Sequence, residues 1–289
     1  MSFLLGTMLL AVVTALACAL PGVFVVLRRN SMLVDAISHS IFPGIIFGYF
    51  LTRNFNSPLL ILAAALAGLA VVLGSEWLAR TGLLSGDAPQ GLIFPALFSA
   101  GVILVTLEFA NIHLDTHAVL AGDLNIAAWQ PLIIAGTHLG PAYLYVMLGV
   151  LLINIVFLML FYSKLKVTTF DPQFATSLGI RSGLMNTAFM FLVSVTVTAA
   201  FNAAGAILVI ALVVVPPATA YLLTTRLPAM IALTVLIAIV GALAGFWIAY
   251  VLDAATSAGM SLFYGLVFGA VLLATRLLPK RHQKQHALA

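Results

Sequence analysis

Asp35 and His39 stand four residues apart in the otherwise apolar stretch that follows Arg28-Arg29. On a helix that spacing stacks both side chains on one face, one turn apart. A carboxylate at the centre of a transmembrane helix costs about 2.5–3.5 kcal/mol on insertion scales. The pair is therefore expected to face the bundle interior or a water-filled path. Carboxylate oxygen with imidazole nitrogen suits a divalent first-row metal such as Mn²⁺, Fe²⁺ or Zn²⁺. Ser38 and Ser40 are placed to orient His39, and Pro43-Gly44 loosens the helix just beyond. Spacing alone leaves two alternatives open, a structural Asp–His hydrogen bond and an Asp35–Arg29 pair.

Two further segments carry chemistry. His113, Asp115 and His117 alternate along the chain, with Asp123 beyond. In an extended segment the three would share one face and collect cations, although an ordinary solvated loop has the same composition. His282 and His286 belong to a basic tail and read as solvated. Residues 171–180, Asp-Pro-Gln-Phe-Ala-Thr-Ser-Leu-Gly-Ile, predict a short capped helix. Asp171 can cap it, Pro172 suits the first helical position, and Gly179 supplies a left-handed terminus. Phe174 and Leu178 would form an apolar ridge, which calls for a partner unless the helix lies on the protein's own ends.

The elements that must position these residues follow from composition. Of 289 residues, 63% are hydrophobic and only 7% charged, with a mean hydropathy of +1.20. The apolar residues come in runs of about 20, the length that crosses the hydrocarbon core as a helix. No ten-residue alternating segments of a β-barrel are present. The expectation is an all-α, polytopic transmembrane bundle of about nine helices. The spans read as 3–27, 33–51, 58–75, 89–107, 142–162, 183–200, 203–223, 229–250 and 259–275. Eight remain possible if 33–51 or 203–223 is re-entrant. Residues 1–278 read as one domain, followed by a basic tail at 279–289. The apolar run from Phe3 to Leu27 exceeds a signal-peptide core and its basic residues follow it, so it reads as a retained first helix. Residues 108–141 form a polar stretch on one side, and 163–182 the longest connection on the other.

Of the 12 Lys and Arg, all but Arg53 fall on one side under strict alternation. These are Arg28, Arg29, Arg80, Lys164, Lys166, Arg181, Arg226, Arg276, Lys280, Arg281 and Lys284. By the positive-inside rule that side is cytoplasmic, with the N-terminus outside and the C-terminus inside. Basic residues spread between apolar runs in this way argue against nucleic acid as a partner. Cys18, the single cysteine, permits no internal disulfide and makes a thiolate metal site improbable. No phosphate-binding Gly-x-x-x-x-Gly-Lys loop, Gly-x-Ser-x-Gly elbow or His-Glu-x-x-His helix occurs. Any dependence on ATP must come from another subunit. Pro216-Pro217 predicts a kink, and Gly44/Gly48, Gly241/Gly245 and Gly265/Gly269 predict close helix packing.

Taken in order, four segments resemble the permeases of bacterial manganese/zinc/iron ABC importers. They are Arg28-Arg29 with Asp35-Ala36-Ile37-Ser38-His39 and Pro43-Gly44; His113 through Asp123; Phe170 through Ile180; and Gly205 through Ala220. The likeness runs from about residue 5 to 278. It implies a type II ABC importer permease-like fold in the bacterial inner membrane. The implied partners are a second permease subunit, a cytoplasmic ATPase dimer and an external metal-binding receptor. The metal is then cargo, not a permanent cofactor, and no nucleotide site belongs to this chain. Asp35 and His39 would be ligands or gate residues, His113, Asp115, His117 and Asp123 would mark the external entry, and Asp171, Pro172, Phe174, Leu178 and Gly179 would seat in the ATPase. The external segment is more similar to the manganese and iron branch than to the zinc branch. Ser40 departs from a small apolar residue, and Pro217 doubles the usual proline. A permease for haem, cobalamin or a siderophore and a membrane scaffold are competing readings that leave the acid–histidine pair unexplained; a secondary cation transporter is a third, which would work alone in liposomes where an ABC permease needs its ATPase.

Overall fold

A computed structural model describes residues 3–54, 57, 59–84, 86–108, 124–134 and 137–277. His113, Asp115, His117, Asp123 and the tail at 279–289 lie outside the described residues. The elements in chain order are α1 (Phe3–Leu27), α2 (Ser31–Thr52), α3 (Leu59–Arg80), α4 (Ala88–Glu108) and α5 (Leu124–Ala128). A hairpin of β1 (Pro131–Ile134) and β2 (Thr137–Pro141) follows, then α6 (Ala142–Phe170), α7 (Pro172–Ser177), α8 (Ser182–Leu223), α9 (Leu227–Val251) and α10 (Thr256–Leu277). Among the described residues, eight of these helices are long and apolar enough to cross a membrane. The protein is a polytopic transmembrane helical bundle. The polar stretch at 108–141 contains α5 and the antiparallel hairpin, neither of which the sequence reading anticipated.

The two runs read as separate spans, 183–200 and 203–223, form one 42-residue element with no intervening loop. Gly205, at φ 76° and ψ 167°, breaks it in a conformation open to glycine and not to side-chain-bearing residues. Contacts with α1 show what the break does. Phe24 meets Phe189, while Asn154 joins Ala17 to Thr196 one level further from Arg28. A straight helix would continue past the start of α1. Instead Val213 and Pro217 return to Gly22, near the Arg28 end. The limbs 182–204 and 206–223 therefore run antiparallel, about 34 Å and 27 Å long at 1.5 Å per residue. Each is comparable to a bilayer core of about 30 Å. Among the described residues the bundle thus makes nine passages with eight separate long helices.

The expected kink at Pro216-Pro217 is not where the helix breaks. Both prolines sit inside the second limb, with Gly205 absorbing the turn. Proline has no amide hydrogen, so Pro217 leaves the Val213 carbonyl without its intrahelical donor. That carbonyl lies against Gly22, where an added Cβ would come within 2.1 Å of it. Pro21 frees the Ala17 carbonyl in the same way, and the buried Asn154 side chain donates to it at 2.9 Å. The Asn154 carbonyl oxygen in turn accepts from Thr196 at 3.1 Å.

The glycine pairs divide. Gly44 and Gly48 bring α2 onto α3 against Ala63, Ala64 and Leu60, and Gly241 lies under the Tyr264 ring. A Cβ added at Gly265 or Gly269 would meet nothing within 4 Å among the described residues, so the packing expected of that pair is absent there. Substituting Gly22→Ala should destabilise the purified protein by about 1–3 kcal/mol through overpacking. Gly265→Ala should leave it unchanged, and thermal unfolding in detergent compares the two.

Candidate functional site

Helix α2 begins at Ser31, so Asp35 and His39 lie one and two turns in, roughly 6 and 12 Å from its start. Both lie on the Arg28 side of the helix centre. Asp35 Oδ1 and His39 Nε2 are 3.6 Å apart. That separation is too long for a hydrogen bond. Two ligands about 2.1 Å from one ion at a tetrahedral angle stand about 3.4 Å apart, close to the observed spacing. Pro43 lies in the same helix and removes the donor that would cap the His39 carbonyl, leaving a third acceptor on that turn. Among the described residues, no third His, Cys, Asp or Glu joins the pair.

Ser38 and Ser40 do not orient His39. Their hydroxyls donate to the carbonyls of Val34 at 2.9 Å and Ile37 at 2.7 Å, and both side chains are buried. The imidazole is held by aromatic rings from α4, stacked on Phe94 at 5.4 Å and edge-on to Phe98 at 6.5 Å. Phe98 also packs on Phe42. Gly101 permits this approach, because a Cβ there would come within 2.8 Å of the Pro43 Cα. Sequence reasoning missed Phe94, Phe98 and Gly101. The i, i+4 spacing of the two phenylalanines was the only available signal.

The pair does not turn into the bundle interior of this chain. Both side chains are 36% exposed, on the flank between α2 and α4. The rest of α4 offers that flank a surface of small and apolar residues, including exposed Gly91, Pro95, Ala96, Ser99 and Ala100. Arg29 is exposed, and the side chain facing Asp35 is His39.

At the Arg28 end the chain carries a second polar assembly. The Arg28 guanidinium donates to Thr169 at 3.0 Å, Asn186 at 2.8 Å and Thr168 at 3.1 Å, and lies over the Phe189 ring. Asn186 also donates to Glu76, which faces Arg80. One cation thereby ties together the ends of α1, α3 and α6 and the start of α8. Burial pulls the Arg28 guanidinium down to about 10, with Glu76 opposing the shift, so it remains charged at neutral pH. From sequence Arg28 was read only as an orienting charge.

Helix α6 runs through Phe170, two turns past the expected span, and α7 follows at once. Asp171 accepts from the Phe174 amide at 2.8 Å, and Pro172 occupies the first turn. Gly179, at φ 73°, closes the helix. Its amide donates to Thr176 and that of Ile180 to Ala175, a paired carboxy-terminal cap. Ala175 is buried, whereas Phe174 and Leu178 are 52% and 56% exposed. The apolar ridge does not lie on the protein's own ends.

Among the described residues, the long membrane-spanning helices carry an acid–imidazole pair on one flank and a short helix with an exposed apolar ridge at one end. The chain belongs to the ABC 3 transport family, whose model matches residues 1–275. It is 44% identical over 265 residues to the zinc transport system membrane protein TroD of Treponema pallidum, covering 92% of this chain and 72% of that protein. It is 35% identical over 273 residues to the manganese transport system membrane protein MntD of Bacillus subtilis, covering 94% and 92%. Its fold is shared with PsaBC from Streptococcus pneumoniae in complex with Fab, at a TM-score of 0.75 and 22% identity, covering 94% of this chain and 91% of that one.

Replacing Arg28→Ala removes three charge-assisted hydrogen bonds and should cost about 1.5–3 kcal/mol. Arg28→Lys keeps the charge, loses the planar fork and should recover only part of that. Chemical or thermal unfolding of the purified subunit measures both.

Proposed function

We propose that this chain is the path-forming subunit of an ATP-driven importer of a divalent transition metal. Mn²⁺ is the lead cargo, with Fe²⁺ and Zn²⁺ as alternatives. The observation that carries the reading is an aspartate and an imidazole on one exposed flank, spaced to share one ion. Left against acyl chains the carboxylate would cost several kcal/mol, so that flank must meet water or protein. A second permease subunit laid over α2 and α4 meets this need. It would add ligands to a set that two side chains and one carbonyl leave short of four to six. Oxygen and nitrogen donors without thiolate suit all three ions, and the relatives named for zinc and manganese span the same choice.

The positive-inside bias places the Arg28 end in the cytoplasm and the N-terminus outside. Asp35 and His39 then lie in the inner half of the path, weak enough as a set to release the ion inward. Helix α7 offers Phe174 and Leu178 to a cytoplasmic ATPase dimer, with Asp171, Pro172 and Gly179 fixing its shape. The external receptor delivers the ion on the opposite side, where His113, Asp115, His117 and Asp123 form the entry. A permease for a metal chelate shares the fold, but a preformed chelate has no use for a bare acid–imidazole pair. A gradient-driven cation transporter would work without the ATPase.

Asp35→Ala and His39→Ala should each lower ⁵⁴Mn uptake by at least about tenfold, while the complex still assembles and hydrolyses ATP. Uptake at the unsubstituted level in both would remove the ligand assignment. Competition by unlabelled Fe²⁺ and Zn²⁺ in the same assay ranks the cargo. Phe174→Ala with Leu178→Ala should abolish co-purification of the ATPase and leave the permease folded. Retained co-purification would move the docking surface elsewhere.

A further inference from the structure

A cavity of about 490 Å³ opens beside the docking helix, between the last turns of α6 and the first turns of α8. Its rim carries two cations, Lys164 and Arg181, and its wall is apolar, formed chiefly by Phe157, Phe161, Leu184 and Ala188. Among the described residues neither cation makes an ion pair with a carboxylate. Glu76 faces Arg80 and Asn186, and Asp171 caps its own helix. Helix α8 also starts here without a side-chain cap, so its first amides add to the positive rim.

Depth identifies the occupant. Phe157 lies two turns from Lys164, so the apolar wall rises about 10 Å from the charged rim toward the bundle centre. A soluble phosphate would leave that wall uncovered, and a cytoplasmic protein cannot follow it into the hydrocarbon. A molecule with an anionic head and a long apolar tail matches both parts. We propose that this cavity is a binding site for an anionic phospholipid of the inner leaflet. The headgroup phosphate sits between Lys164 and Arg181, and one acyl chain lies along Phe157, Phe161 and Ala188. The lipid would sit against Leu178 and Gly179 at the end of the docking helix, where leaflet composition can act on the seating of the ATPase. The inference rests on the cytoplasmic placement of the Arg28 end. Accessibility of a C-terminal tag in sealed vesicles checks that placement separately.

The permease–ATPase complex is purified from nanodiscs of phosphatidylcholine containing a minor share of phosphatidylglycerol, then examined by native mass spectrometry. The unsubstituted protein should retain phosphatidylglycerol in preference to phosphatidylcholine. Lys164→Ala with Arg181→Ala should weaken that retention about 20- to 30-fold, since each basic residue at an anionic surface contributes several-fold. Ala188→Trp fills the apolar wall and keeps both cations; it should also expel the lipid while the complex stays assembled. Equal retention of the two lipids, retention unchanged in either variant, or displacement by inorganic phosphate as effective as that by phosphatidylglycerol would each overturn the assignment.

Discussion

Inside hydrocarbon a carbonyl that has lost its helical amide cannot turn to water, and of the carbonyls that helix-interior prolines free among the described residues, three lie at helix contacts or at the candidate site. Each is met differently. The Ala17 oxygen, freed by Pro21, accepts from Asn154 on another helix. The Val213 oxygen, freed by Pro217, rests against the bare Cα of Gly22, a close contact of the Cα–H···O type. The His39 oxygen, freed by Pro43, stays beside the only acid–imidazole pair among the described residues. The first two clamp α1 to α6 and to the second limb of α8. The third leaves acceptor capacity where an ion can use it.

The two functional ends are joined by very little chain. Arg28 grips Thr168 and Thr169 at the end of α6, and α7, capped by Asp171, begins at Pro172. On its other side, α2 begins at Ser31 and reaches Asp35 after one turn. In the proposed importer a displacement of α7 would pass along α6 to Arg28 and, across the short turn at 28–30, to the start of α2. Glu76 and Asn186 extend the same assembly to α3 and α8. In the proposed importer this is the shortest mechanical route from ATPase to ion.

Much of the fold was legible because bilayer physics leaves few choices. Helix lengths, the side on which charges fall and the form of α7 all follow from local chemistry. Asp171, Pro172 and Gly179 each satisfy a terminus within a few residues of themselves. The misreadings share one cause. Pro216-Pro217 looks like the break and Gly205 looks ordinary, yet the return of the chain depends on what lies across from each. Ser38 and Ser40 could as easily have faced His39 as their own helix. Nothing local distinguishes Gly265, which meets no other side chain among the described residues, from Gly241, which carries a tyrosine ring.

By itself the sequence determined a many-pass helical membrane protein, a capped helix with an apolar ridge, and an acid–imidazole pair on one helix face, with an expected orientation across the bilayer from its charges. These are consequences of periodicity, capping and desolvation, which act over a turn or two. Only the tertiary structure decided that the pair opens on a flank bordered by Phe94 and Phe98, that Arg28 binds four elements together, and that one long helix folds back at Gly205. Those outcomes depend on which surfaces meet between elements far apart in the chain, from His39 and Phe94 to Gly22 and Pro217, where spacing along the sequence carries no information.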